Sequence, residues 1–386
     1  MLVLSRPGVD YGLAFARGVQ LPPEAKTLYF YPRGRDALLV ALRALRVMPG
    51  DAVVIPAYIC DSTIESLRRA GYRIVFIDIE RDFQLEPAKV RETAEICGAK
   101  AVLAVHFFGF PCDVGRLVTQ LRPRGVRIIE DCCHSFLTQS GDGRIGSRGD
   151  AAIFSMRKTL PIPDGGSLRL NVQDFDMAAL TARSKASPAV VGRYLASRAA
   201  EAVAVAVGWP NIYSQTVDKL KKRMRGGRGV HGGTPSADLE PRQQAPSQLL
   251  ASYLSNEDYL RRVSSCTAAN YARLVEGALA LGLQPYIPKL PSGCVPQWVP
   301  LDDPSNRIVP WLREHGVGAC RWPWHELPAE VASLPSSYPI SNELNSRLAM
   351  IPVHQSIGSR QMARMLHLLG HLVDRPVSTS HEKTVE

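Results

Sequence analysis

Between residues 36 and 171, short apolar runs rich in β-branched residues alternate with longer amphipathic stretches. That rhythm is imposed by a sheet whose strands are joined by crossover helices. It predicts strands at Val53–Ile55, Ile74–Ile77, Val102–Val105, Arg127–Ile129, Ala152–Ser155 and Ser167–Leu170, with helices at Asp61–Ala70, Glu86–Ile96 and Asp113–Leu121. The strand runs are almost continuously hydrophobic, as a parallel sheet covered on both faces requires. Beyond residue 175 the pattern lengthens into helical stretches, then gives way to a Gly-rich basic segment, RMRGGRGVHGGTPS, at 223–236. Such a composition suits a loop that is mobile or ordered on contact. Helical periodicity returns over 247–281, and the remaining 105 residues are punctuated by proline. A last helix is expected over Ser359–Val373, and the chain ends on the polar tail STSHEKTVE. The division this suggests is a large α/β domain over 15–240 and a smaller C-terminal α+β domain over 241–386, without internal repeats.

Composition changes the picture in a few places. With 386 residues, 45% hydrophobic and 21% charged, the chain is globular material long enough to bury a core and a cofactor, and disorder and fibre are excluded. The formal charge is +10. Half of it is local: between 218 and 228, Lys219, Lys221, Lys222, Arg223, Arg225 and Arg228 stand against Asp218. No nucleic-acid motif accompanies this charge, so no nucleic-acid partner is expected. The eight cysteines include no CxxC pair, which speaks against a zinc site and a disulfide scaffold. The N-terminus lacks a basic stretch followed by an apolar run, and no segment reaches the roughly 18 apolar residues that would span a bilayer. A cytoplasmic location is expected. The most apolar helix-like stretch, Ala199 to Trp209, contains Glu201, is too short to cross a membrane and reads as a buried helix, while the basic run after it leaves contact with a membrane surface open.

Candidate chemistry sits where an α/β sheet places ligands, beyond the carboxyl ends of its strands. In IIEDCCHS (128–135) a strand ends at Glu130 and Asp131; in FSMRKTLPIPDGG (154–166) a strand runs into Lys158 and then the pair Gly165 and Gly166; in YPRGRDALLVAL (31–42) Gly34 precedes an amphipathic helix. Each has an ordinary reading by itself: a turn acid, a solvated lysine, a helix that begins after glycine. Together they meet the needs of pyridoxal phosphate. A lysine amine forms the Schiff base, an aspartate holds the pyridine nitrogen protonated, and the N–H groups of a helix start take the phosphate.

With these residues in view, the chain resembles the DegT/DnrJ-type aminotransferases, which mostly act on nucleotide-linked keto sugars and have the aspartate-aminotransferase fold of PLP-dependent transferases, fold type I. The resemblance runs from about residue 30 to 171. It rests on GRDALLVAL (34–42), PGDAVVIPAY (49–58), AGYRIVFIDI (70–79), AVHFFGFPCD (104–113), IIEDCCHS, GSRGDAAIFS (146–155), and Lys158 with its Gly pair, with a weaker echo in RLAMIPVHQSI (347–357). It implies that Lys158 is the Schiff-base lysine and Asp131 the acid at the pyridine nitrogen. His134 then stands near the phenolic oxygen, where the family usually has Gln, and Gly34, Arg35 and Ser155 match phosphate-binding positions. A homodimer with sites at the subunit interface, glutamate as amino-acid donor and a keto sugar as acceptor are implied as well.

The departures from the family pattern are specific. Cys60 stands where an aromatic ring usually covers the cofactor, leaving Tyr58, Phe107 or Phe108 to stack instead. Ser155 is closer to Lys158 than usual, the stretch before Gly34 is shorter, and the Asn-containing loop donated by a second subunit is not recognisable around Pro235 to Gln248, where Arg242 is the best candidate for a contact. The alternatives are a PLP-dependent dehydratase, a transaminase of a non-sugar metabolite, and a regulatory or membrane-associated protein on the same fold. A lysine at 158, rather than the histidine of the dehydratase branch, favours amino transfer.

Overall fold

The computed structural model describes residues 2–374 apart from 17, 142, 181–183, 207–239 and 324–325. The basic run at 219–236 and the polar tail lie outside the described residues. The predicted apolar runs become strands that extend one or two residues further: β2 Ala52–Pro56, β3 Arg73–Ile77, β4 Ala101–Val105, β5 Arg127–Asp131, β8 Ala151–Ser155 and β9 Gly166–Leu170. To these the structure adds β1, Tyr29–Tyr31, and a small hairpin of β6, Gln139–Ser140, with β7, Gly143–Arg144. The main sheet runs in the order β1-β9-β8-β5-β4-β2-β3.

One expectation needs correction. The sheet is parallel from β3 to β8, but β9 is antiparallel to both β8 and β1. Residues 156–165 are too few for a crossover, so the chain folds straight back after β8. That return loop carries Lys158.

The helices Asp61–Arg69, Pro87–Cys97 and Val114–Leu121 lie close to their predicted bounds. Glu86 caps the second by accepting the N–H groups of Ala88 and Lys89, Gly98 ends it in the left-handed conformation at φ 63°, and Asp113 caps the third through the Arg116 N–H. The stretch at 247–281 divides into Gln248–Leu254 and Glu257–Ala280, because Asn256 caps the second helix by accepting the Tyr259 N–H. The shorter of the two packs with Phe30, Met156 and Leu160 beside the main sheet.

In the C-terminal part, β10, Trp298–Asp302, pairs antiparallel with β11, Leu348–Pro352, flanked by the helices Ile308–Glu314, Pro339–Arg347 and Ser359–Val373. Tyr271 and Leu274 of the long helix join these strands and the main sheet in one apolar core. The helix Pro188–Ala206 takes in the start of the stretch Ala199 to Trp209, where residues 199–203 are half-buried or exposed against the expectation of a buried helix, while 207–209 lie outside the described residues. Only one face, through Val191, Tyr194 and Leu195, packs on the cluster around Phe30, while Val190 and Val203 are exposed. Among the described residues, no helix is long and apolar enough to cross a membrane.

Two glycines bring the start of the helix Gly34–Ala44 against the strand ends. A Cβ on Gly166 would lie 2.2 Å from the carbonyl carbon of Arg33, and one on Gly34 would lie 2.6 Å from Cys133 Sγ and 3.3 Å from the Phe154 carbonyl oxygen. At residue 166 the obstacle is backbone, which cannot swing aside. Gly166→Ala is therefore expected to cost about 1–3 kcal/mol or more. Gly192→Ala, in a helix where an added Cβ meets nothing within 4 Å, is expected to be neutral or stabilising by about 0.5–1 kcal/mol. Urea denaturation of the two variants checks this, and equal midpoints would contradict it.

Candidate active site

β5 and β8 are neighbours in parallel register, with Asp131 opposite Ile153, so Asp131 and Ser155 finish at the same edge of the sheet. The helix Gly34–Ala44 starts at that edge: a Cβ on Gly34 would be 3.4 Å from Ser155 Cβ. Its N-cap residue, Arg33, makes no side-chain cap, so the positive end of the helix dipole is directed to the strand ends. Arg35 is largely buried beside Asp36, at 4.0 Å. Lys158 ends the single helical turn Met156–Lys158 that follows β8, and its charge acts on both Cys133 and His134. Asp131 is buried, and its Oδ1 accepts the Cys133 N–H at 2.9 Å, which fixes the direction of the carboxylate. Burial and the Asp131 charge push the Cys133 thiol up, so it keeps its proton. The structure thus brings together Gly34, Arg35, Asp131, His134, Ser155 and Lys158 from three stretches of chain.

His134 accepts the Phe108 N–H on Nδ1 at 3.3 Å, which leaves the proton on Nε2. Burial, then the Lys158 charge, holds this imidazole well below its ordinary pKa, so it is a neutral Nε2–H donor at pH 7. Its ring stacks on Phe108, with centroids 5.5 Å apart and planes 15° apart. Trp322 arrives from the C-terminal part and stands edge-on to Tyr58, Phe108 and His134 at 5.0–5.5 Å. Tyr58 is wholly buried; its hydroxyl donates to the Trp322 carbonyl and its ring is tilted against Phe107. Its ring and hydroxyl are therefore engaged with protein. Cys60 precedes the helix Asp61–Arg69, with its sulfur 3.2–3.3 Å from the Thr63 and Ser62 hydroxyls. Arg242 is exposed.

Sequence reasoning missed the group that holds Asp131 in place. Glu130, one residue earlier, points to the opposite face of the strand and accepts four hydrogen bonds: from Arg148 N and Gly149 N on Oε1 at 2.8 and 2.6 Å, and from Gly146 N and His106 Nε2 on Oε2, both at 3.0 Å. His106 Nδ1 accepts the Cys112 N–H at 2.9 Å, so Nε2 is the donor. His106, Glu130 and Cys132 lie close enough to ligate a metal, yet both imidazole nitrogens and both carboxylate oxygens are already committed. This is a hydrogen-bonded lock. Gln297 and Gln355 of the C-terminal part also escaped notice: they donate to Thr159 Oγ1 and Thr159 O at 3.2 and 3.3 Å, gripping the residue after Lys158. The signals for both groups are too remote in sequence to pair without coordinates.

Residues 32–197 match the model of the DegT/DnrJ/EryC1/StrS aminotransferase family. The chain is 35% identical over 122 residues to the UDP-N-acetyl-3-dehydro-alpha-D-glucosamine 3-aminotransferase of Acidithiobacillus ferrooxidans, covering 32% of this chain and 33% of that protein. It is 34% identical over 143 residues to the spore coat polysaccharide biosynthesis protein SpsC of Bacillus subtilis, covering 37% and 36%. The matched region thus spans about a third of the length of these relatives. The crystal structure of a DegT DnrJ EryC1 StrS aminotransferase from Brucella abortus superposes over 95% of this chain and 94% of that one, with a TM-score of 0.65 and 17% identity. The fold is that of the fold type I PLP-dependent transferases.

The Glu130 lock has a pH signature. Burial pushes its carboxyl up, but the His106 bond and the Gly149 and Arg148 N–H groups outweigh this and hold it below the ordinary carboxylate range. Its contribution to stability is then whole above the unfolded value of about 4.3 and drains away as the pH falls through the lower folded value. Glu130→Gln puts an NH2 against backbone donors, so it is expected to lose about 2–4 kcal/mol at pH 7 and to show a flatter decline in acid. Urea midpoints measured between pH 7 and pH 3 check this; parallel pH profiles for the two proteins would contradict it.

Proposed function

We propose that the chain, which matches the model of the DegT/DnrJ/EryC1/StrS aminotransferase family over residues 32–197, is a pyridoxal 5'-phosphate-dependent aminotransferase that moves an amino group from glutamate to a nucleotide-linked keto sugar. The observation that carries this reading is the meeting of Lys158, Asp131 and the start of the helix Gly34–Ala44 at the carboxyl ends of β5 and β8. The donor set fits the cofactor: an amine for its aldehyde carbon, a buried carboxylate for its ring nitrogen, and a helix start with Arg35 and Ser155 for its phosphate. The cradle at Gly34 is one that a Cβ would fill. The name of the Acidithiobacillus relative, a 3-aminotransferase of a UDP-linked dehydro sugar, supports the acceptor class.

When bound, pyridoxal phosphate supplies an electron sink that acidifies the carbon bearing the amine and carries the amino group from donor to acceptor. The chain supplies the rest. Lys158 Nζ would hold the cofactor covalently and move the proton at the donor carbon. The Asp131 carboxylate, aligned by the Cys133 N–H, would keep a proton on the ring nitrogen. His134 Nε2–H would donate to the phenolic oxygen. The working unit in this reading is a cytoplasmic homodimer with its sites at the subunit interface, and Arg242 reaches the neighbour's site.

Borohydride reduction of the loaded protein followed by peptide mapping is expected to label Lys158. Lys158→Ala is expected to abolish the label and slow the glutamate half-reaction by about 10²–10⁴. A label on another lysine, or none, overturns the reading. Asp131→Asn preserves shape but not charge, so this variant is expected to retain bound cofactor, seen in its visible absorbance, while its glutamate half-reaction collapses. Near wild-type rates would make Asp131 a turn residue only.

A further inference from the structure

The last helix, Ser359–Val373, carries two histidines with no part in the chemistry at the strand ends. His367 and His371 are four residues apart, so they lie one above the other on one face of the helix, and both are exposed. Their Nε2 atoms are 3.1 Å apart, with ring centroids at 4.4 Å and planes at 86°. The backbone beneath them is fixed. Met362, Met365 and Leu369 on the opposite face are fully buried in the main core. Two carbonyls near the helix end are held from outside it: Trp311 Nε1 donates to Leu368 O at 2.8 Å, and Arg307 donates to Leu372 O at 3.3 Å.

The separation of the two nitrogens is the one a shared metal ion imposes. Zinc–nitrogen bonds run about 2.0–2.1 Å, so two imidazoles on one ion are about 2.9 Å apart at a right angle and about 3.3 Å apart at the tetrahedral angle. The observed 3.1 Å falls between these limits. Without an ion, one Nε2 donates its proton to the other. To ligate, the donating ring has only to carry that proton on Nδ1 instead, and neither Nδ1 makes a hydrogen bond among the described residues. In this the pair differs from His106, whose two nitrogens are taken by Glu130 and Cys112. Among the described residues, no third histidine, cysteine or acidic side chain joins the pair within ligand distance, so the other positions on an ion fall to water.

We propose that His367 and His371 form a two-histidine site for a divalent transition-metal ion of the zinc, nickel and copper class, bridging one turn of the last helix. Imidazole suits these ions, whereas calcium and magnesium take oxygen ligands. The lack of paired cysteines bears on thiolate zinc sites and leaves this donor set untouched. An ion held by both rings ties the last turn of the helix to the turn before it, and because it binds the folded chain it raises stability. The site shares no residue with the amino-transfer reading and does not rest on it.

The test is a calorimetric titration of the full chain, free of any histidine tag, with zinc chloride at neutral pH, against magnesium chloride. Zinc is expected to bind, with affinity falling about tenfold or more in His367→Asn and equally in His371→Asn. Both positions are exposed, so neither change threatens the fold. The urea midpoint is expected to rise with zinc in the wild type and to stay in place in both variants, and magnesium is expected to move none of them. Absence of zinc binding by the wild type overturns the proposal. So does full affinity in both variants, which places the ion elsewhere, or a loss in only one of them, since a chelate needs both rings. None of these readouts involves turnover or a label on Lys158, so the metal site and the amino-transfer reading fail separately.

Discussion

Everything proposed for this site depends on how closely backbone can approach backbone where β8, β9 and the helix Gly34–Ala44 meet. Residues 33–34 press on Gly166 and on Cys133 at distances that no side chain at 34 or 166 would permit. That contact sets the helix start beside the ends of β5 and β8, so a dipole, a carboxylate and an amine occupy one edge of the sheet. The antiparallel return of β9 is part of the same constraint. Because the chain folds back directly after β8, residues 156–165 form a short loop that presents Arg157 and Lys158 at the edge, where a crossover helix would have carried them away.

Such an edge gathers like charges, and the surrounding structure holds them there. Glu130 and Asp131, adjacent in sequence and opposite in facing, divide the work: one is saturated by His106 and three backbone N–H groups and fastens the loop at 146–149, while the other turns its carboxylate to the site. From the C-terminal part, Gln297 and Gln355 grip Thr159, and Trp322 closes over His134 and Phe108. The C-terminal part thus acts on the site through the residue after the lysine and through the aromatic wall, which couples its packing to the geometry of Lys158.

This division between strand-end residues and tertiary partners sets how much of the molecule is legible in its sequence. The core strands are legible because burial on both faces leaves unbroken apolar runs, and Asp131, Lys158 and Gly34 are legible because each sits at a strand end or helix start. Strand direction is not, since an apolar run has no polarity; only the length of the 156–165 connection betrays that β9 turns back. Nor is the pairing of WVPLD at 298–302 with LAMIP at 348–352, which nothing local announces. His106 with Glu130 and Trp322 with His134 are partners chosen by tertiary contact. Each residue looks ordinary in its own stretch of chain. Tyr58 illustrates the converse: its motif marks it as a cofactor neighbour, while its ring and hydroxyl are taken up by Trp322 and Phe107.

The central claim is that this edge transfers an amino group and leaves the acceptor's hydroxyls in place. Mass spectrometry of nucleotide-linked keto sugars incubated with the enzyme and nitrogen-15-labelled glutamate tests it most directly. The expected result is an aminated sugar that carries the label and has lost no water beyond that of the carbonyl exchange. A product that has lost a hydroxyl without taking up label would contradict the claim and assign the site to dehydration.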